Sequence, residues 1–195
     1  MCATASMRFC NMAKTGYFIA VVGASGVGKD TILAGAKTKM HDMADFHFTK
    51  RYITRPQDAG AEDHTTLSVD EFKSQQQADN FALWWPAHGL FYGLPKTIIN
   101  RLDQGQNVIA NISRKSVIEA AQTFNKIAII EITASPDVIE QRLQNRGRES
   151  QAEITKRQSR TVNDWAGTQN VISVCNDDKP QSAIKEFIDI SLGFV

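Results

Sequence analysis

The segment Gly23-Ala24-Ser25-Gly26-Val27-Gly28-Lys29-Asp30-Thr31 constrains the fold of this chain more than any other. It follows the unbroken apolar run Tyr17-Phe18-Ile19-Ala20-Val21-Val22 and precedes a stretch of helical pattern. Glycines in a Gly-x4-Gly-Lys segment let backbone N–H groups turn inward around phosphate oxygens, and the lysine reaches the outer phosphates of a nucleotide. A strand buried on both faces, then a phosphate-sized loop, then a helix N-terminus predicts the first unit of a parallel α/β sheet. All nine residues, Gly23 to Thr31, are candidates for nucleotide binding, with Lys29 also a candidate for catalysis. Asp30 stands where this motif ordinarily has Ser or Thr to hold Mg2+. A carboxylate there can bind the ion directly or through water. It can equally do no more than complement the positive end of a helix dipole.

Three further apolar runs repeat the pattern: Asn107 to Ile112, Ile127 to Ile132 and Val171 to Cys175. The short Phe46-His47-Phe48 run suits an edge strand. Helix starts are marked between them. Ser68-Val69-Asp70-Glu71 and Ser150-Gln151-Ala152-Glu153 read as capping boxes. Ser135-Pro136-Asp137 supplies a cap, a first-turn proline and an acid, while Pro95 and Pro180 are placed to open helices and Gly105 to close one. Two stretches break the alternation. Residues 53–95 hold adjacent tryptophans and mixed polar residues, as a small substrate lobe would. Residues 142–160 are rich in arginine. The expected architecture is α/β: a five-stranded, mainly parallel sheet with helices on both faces, an acceptor lobe at about 53–95 and a lid at about 142–156. A single domain would run over 17–195, with residues 1–16 a disordered extension.

Composition enters as a filter. A chain of 195 residues can bury roughly 70% of its unfolded surface, so one domain needs no metal or disulfide staple. The 22 basic and 21 acidic residues leave a net charge of +1. That balance excludes bulk nucleic-acid binding, which needs a basic face, so any anion site is local. No apolar run approaches the roughly 20 residues that span a bilayer, so no membrane partner is expected. Cys2, Cys10 and Cys175 fit neither a disulfide framework nor a zinc pattern. Cys175 ends an apolar strand and is expected to be a buried thiol. A reducing, cytoplasmic setting is expected. The four histidines show no metal-ligand spacing.

Further stretches carry a family resemblance. They are the 23–31 loop, Arg51-Tyr52-Ile53-Thr54-Arg55-Pro56, Gly60-Ala61-Glu62-Asp63-His64, Leu67 to Phe72, Trp85 to Pro95, Asn111-Ile112-Ser113-Arg114 and Arg142 to Arg148. Over nearly all of 17–195 the chain resembles the guanylate-kinase-like branch of P-loop phosphotransferases. The Gly-Lys-Asp variant and Asn-Ile-Ser-Arg resemble those members that act on a phosphosugar. What this resemblance implies is phosphoryl transfer from ATP, with Mg2+, to ribose 1,5-bisphosphate. The products would be 5-phosphoribosyl 1-diphosphate (PRPP) and ADP, within phosphonate degradation.

Departures from guanylate kinases bear on the acceptor. Those enzymes place a Glu in a Phe-Leu-Glu-Trp stretch to accept guanine's N–H donors; aligned on His88-Gly89, this chain has Leu83 there. Leu94 replaces the Ser or Thr after Tyr-Gly, His64 a phosphate-binding Tyr, and Asp58 a second Arg. Stranding buried donors costs about 1–3 kcal/mol each, so a base-free acceptor is favoured. A phosphate monoester is already largely a dianion at neutral pH and needs no general base; positioning and positive charge do most of the work. The candidate acceptor-binding residues are therefore Arg51, Arg55, Glu62, Asp63, His64, Tyr92 and Arg114. Arg146 and Arg148, flanking Gly147, are candidate catalytic residues on a closing lid. Plainer alternatives are a surface salt bridge for Arg55, a solvated turn for Glu62-Asp63-His64, simple packing for Tyr92, a solvent-facing helix start for Arg114 and a solvated helix face for Arg146 and Arg148. Asn176-Asp177 is a positional candidate for the adenine. Two other functions fit less well, guanylate kinase and a non-catalytic interaction module of the same fold; the intact Gly28-Lys29 weighs against the module.

Overall fold

The computed structural model describes residues 15–56, 63–146 and 171–195. The chain runs through β1 (Phe18–Val22), α1 (Lys29–Lys39), β2 (Phe46–Phe48), β3 (Arg51–Ile53), β4 (His64–Thr66), α2 (Val69–Gln77), β5 (Phe81–Ala87) and β6 (Leu90–Pro95). It continues with α3 (Thr97–Asp103), β7 (Asn107–Asn111), α4 (Val117–Thr123), β8 (Ile127–Thr133), α5 (Pro136–Arg146), β9 (Val171–Cys175) and α6 (Pro180–Leu192).

Five strands form the central sheet in the order β2-β7-β1-β8-β9. Every pairing in it is parallel. The sequence predicts a mainly parallel sheet; antiparallel pairing is confined to the second sheet. All five residues of β1 are fully buried, as an unbroken apolar run demands. Alternate residues serve the two faces. Ile19 and Val21 pack with Ile32 and Ala36 of α1 and Phe187 of α6. Phe18, Ala20 and Val22 pack with Leu102 of α3, Val117 and Ala120 of α4, and Phe124. Gly35 allows α1 and α6 to approach, because a Cβ there would lie 2.4 Å from Ile184 Cδ1. The phosphate-loop segment leaves the C-terminal end of β1, the end at which open α/β sheets bind ligands.

The second sheet has the order β4-β3-β6-β5. β3 pairs with β4 in parallel and with β6 antiparallel, and β5 with β6 antiparallel. His88 and Gly89 turn the β5–β6 hairpin with φ of 52° and 74°. Positive φ at both central residues gives the twist that matches two paired strands. This sheet does not stand apart: Leu83, Trp85 and Leu94 join the cluster that covers the Phe18 face of the central sheet.

The capping box at α2 forms, with Glu71 N donating to Ser68 Oγ at 3.2 Å and Ser68 N donating to Glu71 Oε2 at 2.7 Å. Pro180 opens α6 and Gly105, with φ of 85°, follows the end of α3. Two local expectations fail. Pro95 ends β6, and α3 begins two residues later at Thr97. Cys175 is exposed, not buried. On the edge strand β9, alternation sends Val174 into the core and leaves Ser173 and Cys175 outside. The second capping box and most of the expected lid lie outside the described residues. Among the described residues no helix is long and apolar enough to cross a membrane.

Candidate active site at the open end of the central sheet

The loop between β1 and α1 depends on three glycines with positive φ: Gly23 at 149°, Gly26 at 91° and Gly28 at 93°. A Cβ on Gly23 would lie 2.4 Å from the Ile132 carbonyl oxygen, and one on Gly28 would lie 2.5 Å from Asn176 Nδ2. Both conformation and space therefore exclude a side chain. Lys29 opens α1, and its Nζ donates to the carbonyls of Gly23 at 2.8 Å and Ala24 at 2.9 Å. The ammonium is thus held across the mouth of the loop, where a phosphate's charge is needed.

The loop is braced from behind. Asn176, 2% exposed, donates from Nδ2 to the Val27 carbonyl at 2.6 Å. Arg142 of α5 donates to the same carbonyl at 3.3 Å. Asp177 accepts from Ser135 N at 2.5 Å, and this backbone hydrogen bond is the main reason its carboxyl is held below the usual range. The Asn176-Asp177 pair thus fastens the loop and the start of α5, work that its position after β9 does not reveal.

Asp30 is half-buried at the loop's edge and accepts from Asn111 Nδ2 at 3.2 Å. Asn111 is the last residue of β7 and lies opposite Val21 in the sheet. Ser113 Oγ accepts from Lys115 N at 3.3 Å and starts the turn that carries the half-buried Arg114. Thr31 is exposed on α1. Among the described residues no three His, Cys, Asp or Glu side chains group as a metal site.

A cleft of about 280 Å³ opens beside Asp30, lined by Asp30 and Lys37 of α1, Lys50, Arg51, Asp63 and Asn111. Asp63 Oδ1 lies 2.6 Å from Lys50 Nζ, and its Oδ2 lies 3.2 Å from Lys37 Nζ. These contacts, Lys50 foremost, hold the Asp63 carboxyl below the usual range. The Arg51 guanidinium sits 5.3 Å from the centre of the Tyr92 ring, and Tyr92 stacks on Trp85 at 5.6 Å with the rings 6° from parallel. The planar charge is carried on an aromatic shelf.

His64 faces inward. It is 1% exposed, and its Nε2 lies 3.2 Å from the Arg55 carbonyl, to which Thr66 Oγ1 also donates at 3.0 Å. The imidazole shapes the Arg55 turn from beneath. Leu83 and Leu94 are 2% and 0% exposed and pack in the apolar cluster between the two sheets. The structure thus brings Asp30, Arg51 and Asp63 to one cleft, adds Tyr92 through Arg51, and turns His64 away from it. Glu62, Arg148 and the side chain of Arg146 lie outside the described residues. Lys37, Lys50, Asn111 and Arg142 were not singled out from sequence as site residues, and Asn176, a positional candidate for the adenine, instead braces the loop through the Val27 carbonyl. Lys37 alone had a local signal, seven residues after Asp30 on a helix.

The family model described as guanylate kinase matches residues 16–190. The ribose 1,5-bisphosphate phosphokinase PhnN of Brucella melitensis biotype 2 is 40% identical over 173 residues, covering 89% of this chain and 90% of that protein. The protein of the same name from Rhizobium etli is 38% identical over 183 residues, covering 94% and 93%. A bifunctional ribose 1,5-bisphosphokinase-thymidine phosphorylase of Azorhizobium caulinodans is 41% identical over 174 residues; the match covers 89% of this chain but 25% of that longer protein. Among solved structures, a guanylate kinase from Anaplasma phagocytophilum superposes with a TM-score of 0.66 at 13% identity, covering 92% of this chain and 86% of that one. That likeness concerns the fold.

Proposed function

The chain belongs to the guanylate kinase family, and from that premise we propose that it is a kinase transferring the γ-phosphoryl group of ATP to ribose 1,5-bisphosphate. The relatives at about 40% identity carry that activity in their names. The structural observation that supports it is Leu83. Where guanylate kinases present a carboxylate to the base, this chain has a leucine sealed with Leu94 into an apolar cluster. An acceptor without a base suits such a site, and guanine does not. The observation also sets aside the guanylate kinase reading, while Lys29 across the loop argues for catalysis and against a non-catalytic module.

In the proposed reaction an oxygen of the acceptor's 1-phosphate bonds to the γ-phosphorus. The bond from that phosphorus to the β–γ bridging oxygen breaks, and ADP leaves with its electron pair. The products are PRPP and ADP. No proton need be removed, because the attacking phosphate is largely a dianion. The backbone N–H groups of Gly23 to Thr31 cradle the donor phosphates. Lys29 leaves its two carbonyl partners for the transferred group. Asp30 fits Mg2+, which ordinarily takes one or two carboxylates together with substrate phosphates. When bound, the ion neutralises charge on the donor's outer phosphates. Arg51, presented by Tyr92, lies at the acceptor cleft. Arg55, whose carbonyl is held by His64 and Thr66, is assigned to the acceptor phosphate, and Arg114 sits three residues beyond Asn111 at the loop end of the sheet. Arg146 and Arg148 are assigned to stabilising charge over the transferred group.

The test is product identification by phosphorus NMR. With ATP, Mg2+ and ribose 1,5-bisphosphate, diphosphate signals of PRPP should grow as ADP appears. ADP formed with GMP, and not with the phosphosugar, would falsify the assignment.

A further inference from the structure

Resting on the phosphosugar reading above, we propose that Lys37 and Lys50 are the docking site for the acceptor's second, non-reacting phosphate, with Asp63 the internal anion that this phosphate displaces.

Helix geometry supplies the spacing. Asp30 and Lys37 both line the cleft from α1. Seven residues are almost two full turns, so the two side chains share one face about 10 Å apart along the axis. Lys29 and Asp30 mark the end where the transferred phosphate must lie. A pentose with a phosphate at each end, laid along this stripe, brings its far phosphate to Lys37. Lys50 reaches the same point from the link between β2 and β3.

The chemistry at that point is already that of an anion site. Two ammonium groups from different segments converge on one carboxylate, one to each oxygen, at 2.6 Å and 3.2 Å. A phosphate monoester offers three oxygens and nearly two negative charges in place of two oxygens and one. The exchange meets little resistance, because the Lys37, Lys50 and Asp63 side chains are 50%, 53% and 55% exposed. Exposed ion pairs of this kind add little to stability and reform easily. Arg114 is less suited to the far phosphate, since Asn111 places it at the loop end of the sheet.

The experiment uses the full chain with Lys37→Met, Lys50→Met and the double variant. Turnover is measured with ribose 1,5-bisphosphate and with ribose 1-phosphate, which lacks the far phosphate. Binding of ribose 5-phosphate is measured separately by calorimetry, without turnover. Each single variant should lose about tenfold or more in kcat/KM for the bisphosphate, chiefly through KM, as loss of a charge-assisted contact predicts. Use of ribose 1-phosphate should stay within about twofold, because it never reaches the exposed lysines. Affinity for ribose 5-phosphate should fall by a factor similar to that for the bisphosphate, and Lys→Arg variants should recover most of it.

Equal losses for both sugar phosphates, or unchanged ribose 5-phosphate affinity in the double variant, would overturn the proposal. A wild-type protein that phosphorylates neither sugar defeats the assigned reaction. Calorimetry then still decides the lysine site: affinity lost in the variants upholds it, and affinity retained removes it.

Discussion

Lys29 and Asp30 are adjacent in sequence yet belong to different problems. The Lys29 ammonium rests on two carbonyls of its own loop, at 2.8 Å and 2.9 Å. Those contacts are local and only part-buried, so their loss should leave the fold intact. The charge acts on oxygens that become more negative during transfer, and such terms are worth several kcal/mol. Lys29→Ala is therefore expected to cut kcat by at least about 100-fold with an unchanged circular dichroism spectrum. Normal turnover by the folded variant would remove the loop from the mechanism. Asp30→Asn separates charge from contact, since an asparagine carbonyl can still accept from Asn111 Nδ2. Weaker binding of a hard cation should shift the Mg2+ titration to higher concentration. An unchanged titration would leave Asp30 as a helix-start acid. Both residues were legible in the sequence because the motif is local. Asn176 and Arg142 were not legible as loop braces, because their contacts with Val27 span 149 and 115 positions. Nothing nearby in the chain announces such a partnership.

Elements differ in legibility for a related reason. β1, β7 and β8 read directly, because strands enclosed within a sheet between helix layers are continuous apolar runs, whereas β9 reads as such a run although it is an edge strand with only Val174 buried. β3 and β4 have three residues each and half-exposed positions, so no period can be read from them. β5 even contains Pro86, which is tolerated because this strand is at the edge of its sheet. β2 is an edge strand of the central sheet and carries a titratable side chain. His47 has its pKa lowered, first by burial and then by the charges of Arg101 and Lys37. The unfolded chain therefore accepts a proton at this ring more readily than the folded one. Its contribution to stability is present above the unfolded pKa of 6.5 and is lost as pH falls through that value towards the lowered one. The melting temperature should decline below about pH 6.5, and His47→Gln should flatten that part of the profile. An identical decline in the variant would assign it to other groups.

At the scale of the whole molecule, the two sheets are joined by apolar packing on one side and by ions on the other. Leu83, Trp85 and Leu94 lie on the Phe18 face of the central sheet, while Asp63 links Lys50 to Lys37 across the cleft. Leu83, which aligns with the family's base-reading position, falls inside the apolar joint, and on the proposed reading that placement disfavours a base. Guanine offers several N–H donors, and two of them set against leucine would each lose about 1–3 kcal/mol. A deficit of about 2–6 kcal/mol is consistent with the expected kcat/KM for ribose 1,5-bisphosphate about 100-fold or more above that for GMP. Restoring the carboxylate should not rescue GMP. Leu83→Glu would place a charge at a site only 2% exposed in the apolar cluster that holds Trp85, Leu94 and Ile98. Burial of an unpaired carboxylate is strongly disfavoured, so the variant should lose several kcal/mol of stability or hold the glutamate protonated. Its melting temperature should drop while GMP turnover stays near background. A stable Leu83→Glu protein with brisk GMP turnover would show that the joint opens to admit a base. Comparable use of GMP by the unaltered chain would go further and reverse the acceptor assignment, while leaving Lys29 and its loop in place as the transfer machinery.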